Sequence, residues 1–101
     1  MARIVVTETA DRDVDEIVTY LAEQAGARVA EKYLDLFDGV YARLALLPGS
    51  GPPRPHLGQL TRISVVSPYV VIYDWDAAND CVTVLRVVHG RRRITRRLVR
   101  Q

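Results

Sequence analysis

The sequence predicts an α+β fold in the order β-α-α-β-β-β, with a helical hairpin packed on one face of a small, mainly antiparallel sheet. Three observations predict it. A short β-branched opening comes first. Two stretches follow in which apolar residues recur every three or four positions. Beyond a proline- and glycine-rich break at 48–55, three β-rich runs are separated by turn residues. At 101 residues the chain has the length of one domain and can bury a single core. The domain is expected to span 1–101, with 91–101 a basic tail or short helix.

Residues 3–8 are short and β-branched and form the first strand. Thr7 or Thr9 can cap the helix that follows, and Asp11 and Asp13 suit the positive end of its dipole. Val14, Ile17, Val18 and Leu21 make its apolar stripe, and Gly26 ends it. A second helix over 27–47 carries a seam of Val29, Tyr33, Leu36, Val40, Leu44 and Leu47, widened by Phe37 and Tyr41. The break between the two is short, so they pack antiparallel. Residues 48–55 hold four prolines and can only be a loop. Residues 60–66, 69–75 and 81–89 then form a meander, the last and most apolar strand lying centrally. The sheet face away from the helices is expected to stay open for a partner.

Alternation along the strands assigns faces. Arg62, Ser64 and Val66 share one. In the last strand Val82, Val84, Arg86 and Val88 share a face, with Cys81, Thr83, Leu85, Val87 and His89 opposite. Arg62 and Arg86 stand in apolar surroundings, so each needs an open face or a carboxylate, such as Asp74 or an acid of the first helix. His89 ends its strand, either bonded to backbone or as a general acid or base. Cys81 is the only cysteine, so no disulfide closes within the chain, and it reads as a small buried apolar group.

The net charge of +2 conceals an asymmetry. Residues 1–40 carry nine acids and four bases, a net of −5, whereas 41–101 carry ten arginines and three acids, a net of +7. No acid follows Asp80, while Arg91, Arg92, Arg93, Arg96, Arg97 and Arg100 crowd the end. On a helix, Arg93, Arg96, Arg97 and Arg100 would line one face. Such a split points to a polyanion or an acidic protein segment as partner. The sequence has no Gly-rich phosphate loop, no metal-spaced ligand cluster and no nucleophile elbow, so neither cofactor nor metal is expected. No apolar run approaches the length of a membrane span, and the start lacks a signal peptide, so a cytoplasmic protein is expected.

The segments 10–20, 44–48 and 84–92 stand in a familiar order and spacing, in which the chain resembles the RelE/ParE superfamily of toxins from type II toxin–antitoxin operons. The first helix, Ala10-Asp11-Arg12-Asp13-Val14-Asp15-Glu16-Ile17-Val18-Thr19-Tyr20, is similar to the family's A-x-x-D-[LV]-x-x-I-x-x-Y. Leu44-Ala45-Leu46-Leu47-Pro48 matches its L-x-x-x-P, and Val84-Leu85-Arg86-Val87-Val88-His89-Gly90-Arg91-Arg92 its closing strand. The resemblance implies a cognate antitoxin with an acidic tail and a toxin–antitoxin hetero-oligomer. RelE-like members imply a ribosome-dependent mRNA endoribonuclease, for which Arg62, Arg86 and His89 would be the catalytic candidates. That site usually offers lysines or a glutamate and a late tyrosine. Here Lys32 is the only lysine, and no tyrosine follows Tyr73. The His-Gly-Arg-Arg ending resembles the ParE-like branch more closely, which implies poisoning of DNA gyrase without enzymatic activity. Arg62, Arg86, His89, Arg91, Arg92, Arg93, Arg96 and Arg97 would then be target- or antitoxin-binding residues. A toxin-fold binding module without toxicity is the third reading.

Overall fold

The computed structural model describes residues 1–100: β1 (Arg3–Val6), α1 (Glu8–Ala25), α2 (Ala27–Leu46), β2 (Thr61–Val66), β3 (Tyr69–Asp76), β4 (Cys81–His89) and α3 (Arg96–Val99). The Thr7 hydroxyl caps α1 by accepting the Ala10 N–H at 3.1 Å, with Glu8 and Asp11 in the first turn. Gly26 alone separates α1 from α2. Its φ of 96° lies where a side chain would be strained, which lets one residue reverse the chain.

The apolar seam of α2 differs from the expected one. Ala30, Phe37, Val40, Leu44 and Ala45 are buried, whereas Leu36 and Leu47 are 41% and 59% exposed. The helix is turned so that Phe37, flanked by Tyr33, meets the Tyr69 ring edge-on at 5.8 Å. Phe37 is thus the centre of the seam rather than its margin.

The sheet order is β1-β4-β3-β2, with β1 parallel to β4 and the other pairs antiparallel. The meander and the interior place of β4 are as the sequence predicts. On the helix side, Phe37, Val40 and Leu44 pack on Val71, Tyr73, Val82, Val84 and Val87.

Two features depart from expectation. The far face is not open: Leu57, Val70, Ile72 and Val88 are covered by Leu98 and Val99 of α3, with Ile94 beside them. A four-residue helix cannot hold itself together, so α3 exists because it buries two apolar side chains against the sheet. The chain leaves β4 at His89 and returns across this face as a strap.

The second departure is a bulge in β4. Tyr73 pairs with Val84 but Ile72 pairs with Arg86, so Leu85 is an extra residue. The bulge resets the alternation. Val87 joins Val82 and Val84 on the helix side, and Val88 faces the strap. The unbroken face Val82-Val84-Arg86-Val88 is therefore corrected, because one inserted residue flips every side chain beyond it.

Candidate functional site at the arginine-rich end

β1 pairs with β4 only as far as Val84, so the outer edge of β4 has no strand beyond that point. The start of α1 fills the gap. Thr7 donates its N–H to Val84 O at 3.1 Å and its hydroxyl to Leu85 O at 3.2 Å. Asp13 Oδ2 accepts the Val87 N–H at 3.0 Å. The same carboxylate takes Arg86 Nε at 2.7 Å and Nη2 at 3.0 Å, a two-pronged pair. Arg86 Nη1 donates to Leu98 O at 2.8 Å. Hydrogen bonding to Asp13 holds the Arg86 proton more tightly than in a free guanidinium, against the opposing pull of burial.

Arg86 is only 6% exposed and each of its three side-chain nitrogens donates a hydrogen bond within the fold. It was expected among the contact or catalytic residues. The bulge turns it to the sheet edge, where it serves as an internal tie between α1, β4 and α3. The carboxylate partner on the first helix is the alternative the sequence allowed.

Arg62 is half-buried and faces the loop after α2, donating from Nη1 to Gly49 O at 3.1 Å and Gly51 O at 2.8 Å. The Tyr73 hydroxyl holds the same loop, accepting the Gly51 N–H and donating to Pro48 O, each at 3.0 Å. Arg62 pairs with Tyr73 and His89 with Tyr69, four residues away along β3, which is about 13 Å. Arg62 and His89 are therefore not brought together.

The tip of β4 is different. His89 is exposed, its ring edge-on to Tyr69 at 5.6 Å, and its Nδ1 accepts the Arg91 N–H at 3.0 Å. Arg91, Arg92, Arg93, Arg96 and Arg97 are all exposed, and among the described residues none lies in an ion pair. Arg92 and His89 border a groove of about 310 Å³ with Asp13, Glu16, Tyr20 and Tyr69. Among the described residues no three His, Cys, Asp or Glu side chains are grouped to hold a metal, and no helix is long and apolar enough to cross a membrane.

The expected face Arg93-Arg96-Arg97-Arg100 does not form. Thr95 caps α3, its hydroxyl accepting the Leu98 N–H at 3.2 Å, so Arg93 lies outside the helix. Arg100 turns back instead, from Nη1 to Asp74 Oδ2 and from Nη2 to Thr61 Oγ1, both at 2.9 Å. Asp74, offered by the sequence as a partner for Arg62 or Arg86, thus belongs to Arg100. Asp13, expected in the first turn of α1, lies beyond it, and which acid of the first helix meets Arg86 was not legible, because the two are 73 residues apart.

A helical hairpin on one sheet face, a strapped second face and, among the described residues, a run of arginines outside any ion pair after β4 define a small α+β domain with a cationic C-terminal segment. The family model described as the ParE toxin of type II toxin–antitoxin system, parDE, matches residues 4–94, and the chain belongs to that family. It is the toxin component of a type II toxin–antitoxin system. Toxin ParE3 of Caulobacter vibrioides is 29% identical over 98 residues, covering 97% of this chain and 96% of the relative. Among solved structures, one of a chromosomal ParDE toxin–antitoxin system from P. aeruginosa superposes with a TM-score of 0.73 at 19% identity, over 88% of this chain and 96% of that one. The toxin–antitoxin complex RelBE2 from Mycobacterium tuberculosis gives a TM-score of 0.53 at 24% identity, over 87% and 96%. These two likenesses establish the shared fold.

Proposed function

We propose that this toxin acts in the cytoplasm as a poison of DNA gyrase, with His89 and Arg91, Arg92, Arg93, Arg96 and Arg97 as its contact surface, and not as a ribonuclease. One observation carries the reading: the three candidates for RNA cleavage are dispersed. Arg86 is buried against Asp13, and Arg62 is tied to the 49–51 loop, away from His89. Cleavage by 2′-hydroxyl attack needs a base, an acid and cations around one phosphate. His89 shares its groove with Asp13, Glu16, Tyr20 and Tyr69, but among the described residues its ring is hydrogen-bonded to the Arg91 N–H and to none of those groups. Such a tip suits charge-assisted contacts to an anionic surface, as a protein–DNA complex offers.

The cognate antitoxin is proposed to lay an acidic tail on the same tip and to neutralise by occlusion. The +7 half of the chain supports this.

The direct test is supercoiling and cleavage-complex formation with purified toxin and gyrase. Inhibition at micromolar toxin is expected. No effect there, together with mRNA cleavage on programmed ribosomes, would reverse the reading. His89→Ala separates the two mechanisms further: a nuclease using it as the acid loses about 10²–10⁴ in rate, whereas one contact among several costs far less. For the antitoxin, replacing Arg91, Arg92 and Arg93 by Glu together should abolish tight binding, and unchanged affinity would refute occlusion at the tip.

A further inference from the structure

All six arginines after Gly90 are exposed, but among the described residues only Arg100 is held in an ion pair. Arg100 reaches back across the end of the sheet. Its guanidinium meets Asp74 and Thr61 and also donates from Nη2 to Leu57 O at 3.3 Å. Thr61 in turn donates its hydroxyl to Asp74 Oδ1 at 2.6 Å, so that carboxylate is already oriented for the arginine. Gly58 completes the seat: a Cβ there would lie 2.0 Å from Arg100 Nη2 and 2.4 Å from Thr61 Oγ1. This is a shaped cradle for a planar cation, with backbone on one side and a carboxylate at its rim.

The cradle lies at the opposite end of β3 from His89, since Asp74 is five residues from Tyr69. The strap is thus fastened at both ends and in the middle. It leaves the sheet at His89, is held at Leu98 O by Arg86, and is closed by Arg100. Arg96 and Arg97 lie on the strap between His89 and the fastening at Leu98.

We propose that Arg100 is a positioning residue. Seated in the Gly58–Thr61–Asp74 cradle, it fixes the 96–99 turn and so sets Arg96 and Arg97 beside Arg91, Arg92 and Arg93 on the surface that meets the target. This rests on the reading of the arginine-rich end as the working surface. A loose strap would leave every cation present but make each pay ordering entropy on binding.

Growth arrest on induced expression, normalised to the amount of toxin, reads the effect whatever the target. Arg100→Ala should raise the toxin level needed for arrest about tenfold. Asp74→Asn and Gly58→Ala should raise it similarly, although neither touches the arginine tip. The exchanged pair Asp74→Arg with Arg100→Glu should regain most of the potency, which no loss of a direct contact could produce. Amide exchange at Val99 and Arg100, whose N–H groups bond to Thr95 O and Arg96 O, should accelerate in the single variants while global unfolding remains cooperative.

Wild-type potency in Asp74→Asn and Gly58→Ala, alongside a weak Arg100→Ala, would make Arg100 a direct contact and overturn the proposal. Full potency in all three variants would overturn it too. If the native toxin leaves gyrase untouched, the gyrase reading fails alone, because the arrest comparison still stands. If the native chain arrests no growth, unchanged exchange at Val99 and Arg100 in Gly58→Ala refutes the seating by itself.

Discussion

Asp13 receives three hydrogen bonds, two from Arg86 and one from the Val87 N–H. Asp13→Ala would strand a buried guanidinium without its counter-charge, and about 3–5 kcal/mol of stability should be lost. Denaturant midpoints measure this. Tyr41 presents the opposite case. Its hydroxyl is buried and has no hydrogen-bond partner among the described residues. Burial, then the charges of Asp11, Asp38 and Asp13, push its pKa up to about 12 from an ordinary 10.0. The fold therefore favours the neutral phenol. Its contribution to stability is complete below the unfolded pKa and is lost as pH rises from about 10 through about 12. Tyr41→Phe should remove the orphaned hydroxyl, stabilise the protein by about 1 kcal/mol at neutral pH and lessen the alkaline loss. An unchanged alkaline profile in pH-dependent unfolding would show that Tyr41 is not its source.

At the scale of elements, the two long helices and all four strands follow from local pattern. Gly26 was legible because a chain reversal between two amphipathic stripes needs a positive φ, and Gly26→Ala should cost about 1 kcal/mol. The loop after α2 was legible as a loop, but its fastening was not. Arg62 and Tyr73 hold it through carbonyl and N–H groups that no side-chain pattern reveals. Arg62→Ala should therefore lower stability by about 1–3 kcal/mol while leaving supercoiling inhibition unchanged at equal folded concentration. An inhibition defect with no loss of stability would return Arg62 to the contact surface. The β4 bulge escaped the sequence because strict alternation is the default for an apolar strand, and Leu85, its extra residue, is as apolar as its neighbours.

On the scale of the whole molecule, acidic α1 and the basic C-terminal half are segregated along the chain, and the five arginines that lie in no ion pair among the described residues all fall between Arg91 and Arg97. An acidic partner should be drawn there by long-range attraction. Its affinity should fall about tenfold or more between roughly 0.05 and 0.3 M salt, mainly through slower association. Calorimetry or surface binding across that range checks it, and a flat response would place the interface on the apolar surfaces instead.

The sequence by itself determined the element order, the hairpin, the meander with β4 inside, the family and the cationic end. Each is written in local periodicity, turn chemistry or charge, and needs only near neighbours to be read. Only the tertiary structure decided which arginines are free. Arg86, Arg62 and Arg100 look no different in the chain from Arg92 or Arg97. A bulge, a loop and a returning strap bring the first three to an aspartate, to carbonyl oxygens and to a glycine-floored cradle. Those partners lie between 11 and 73 residues away along the chain, and for Arg86, only 6% exposed, burial makes pairing obligatory because its charge cannot reach water.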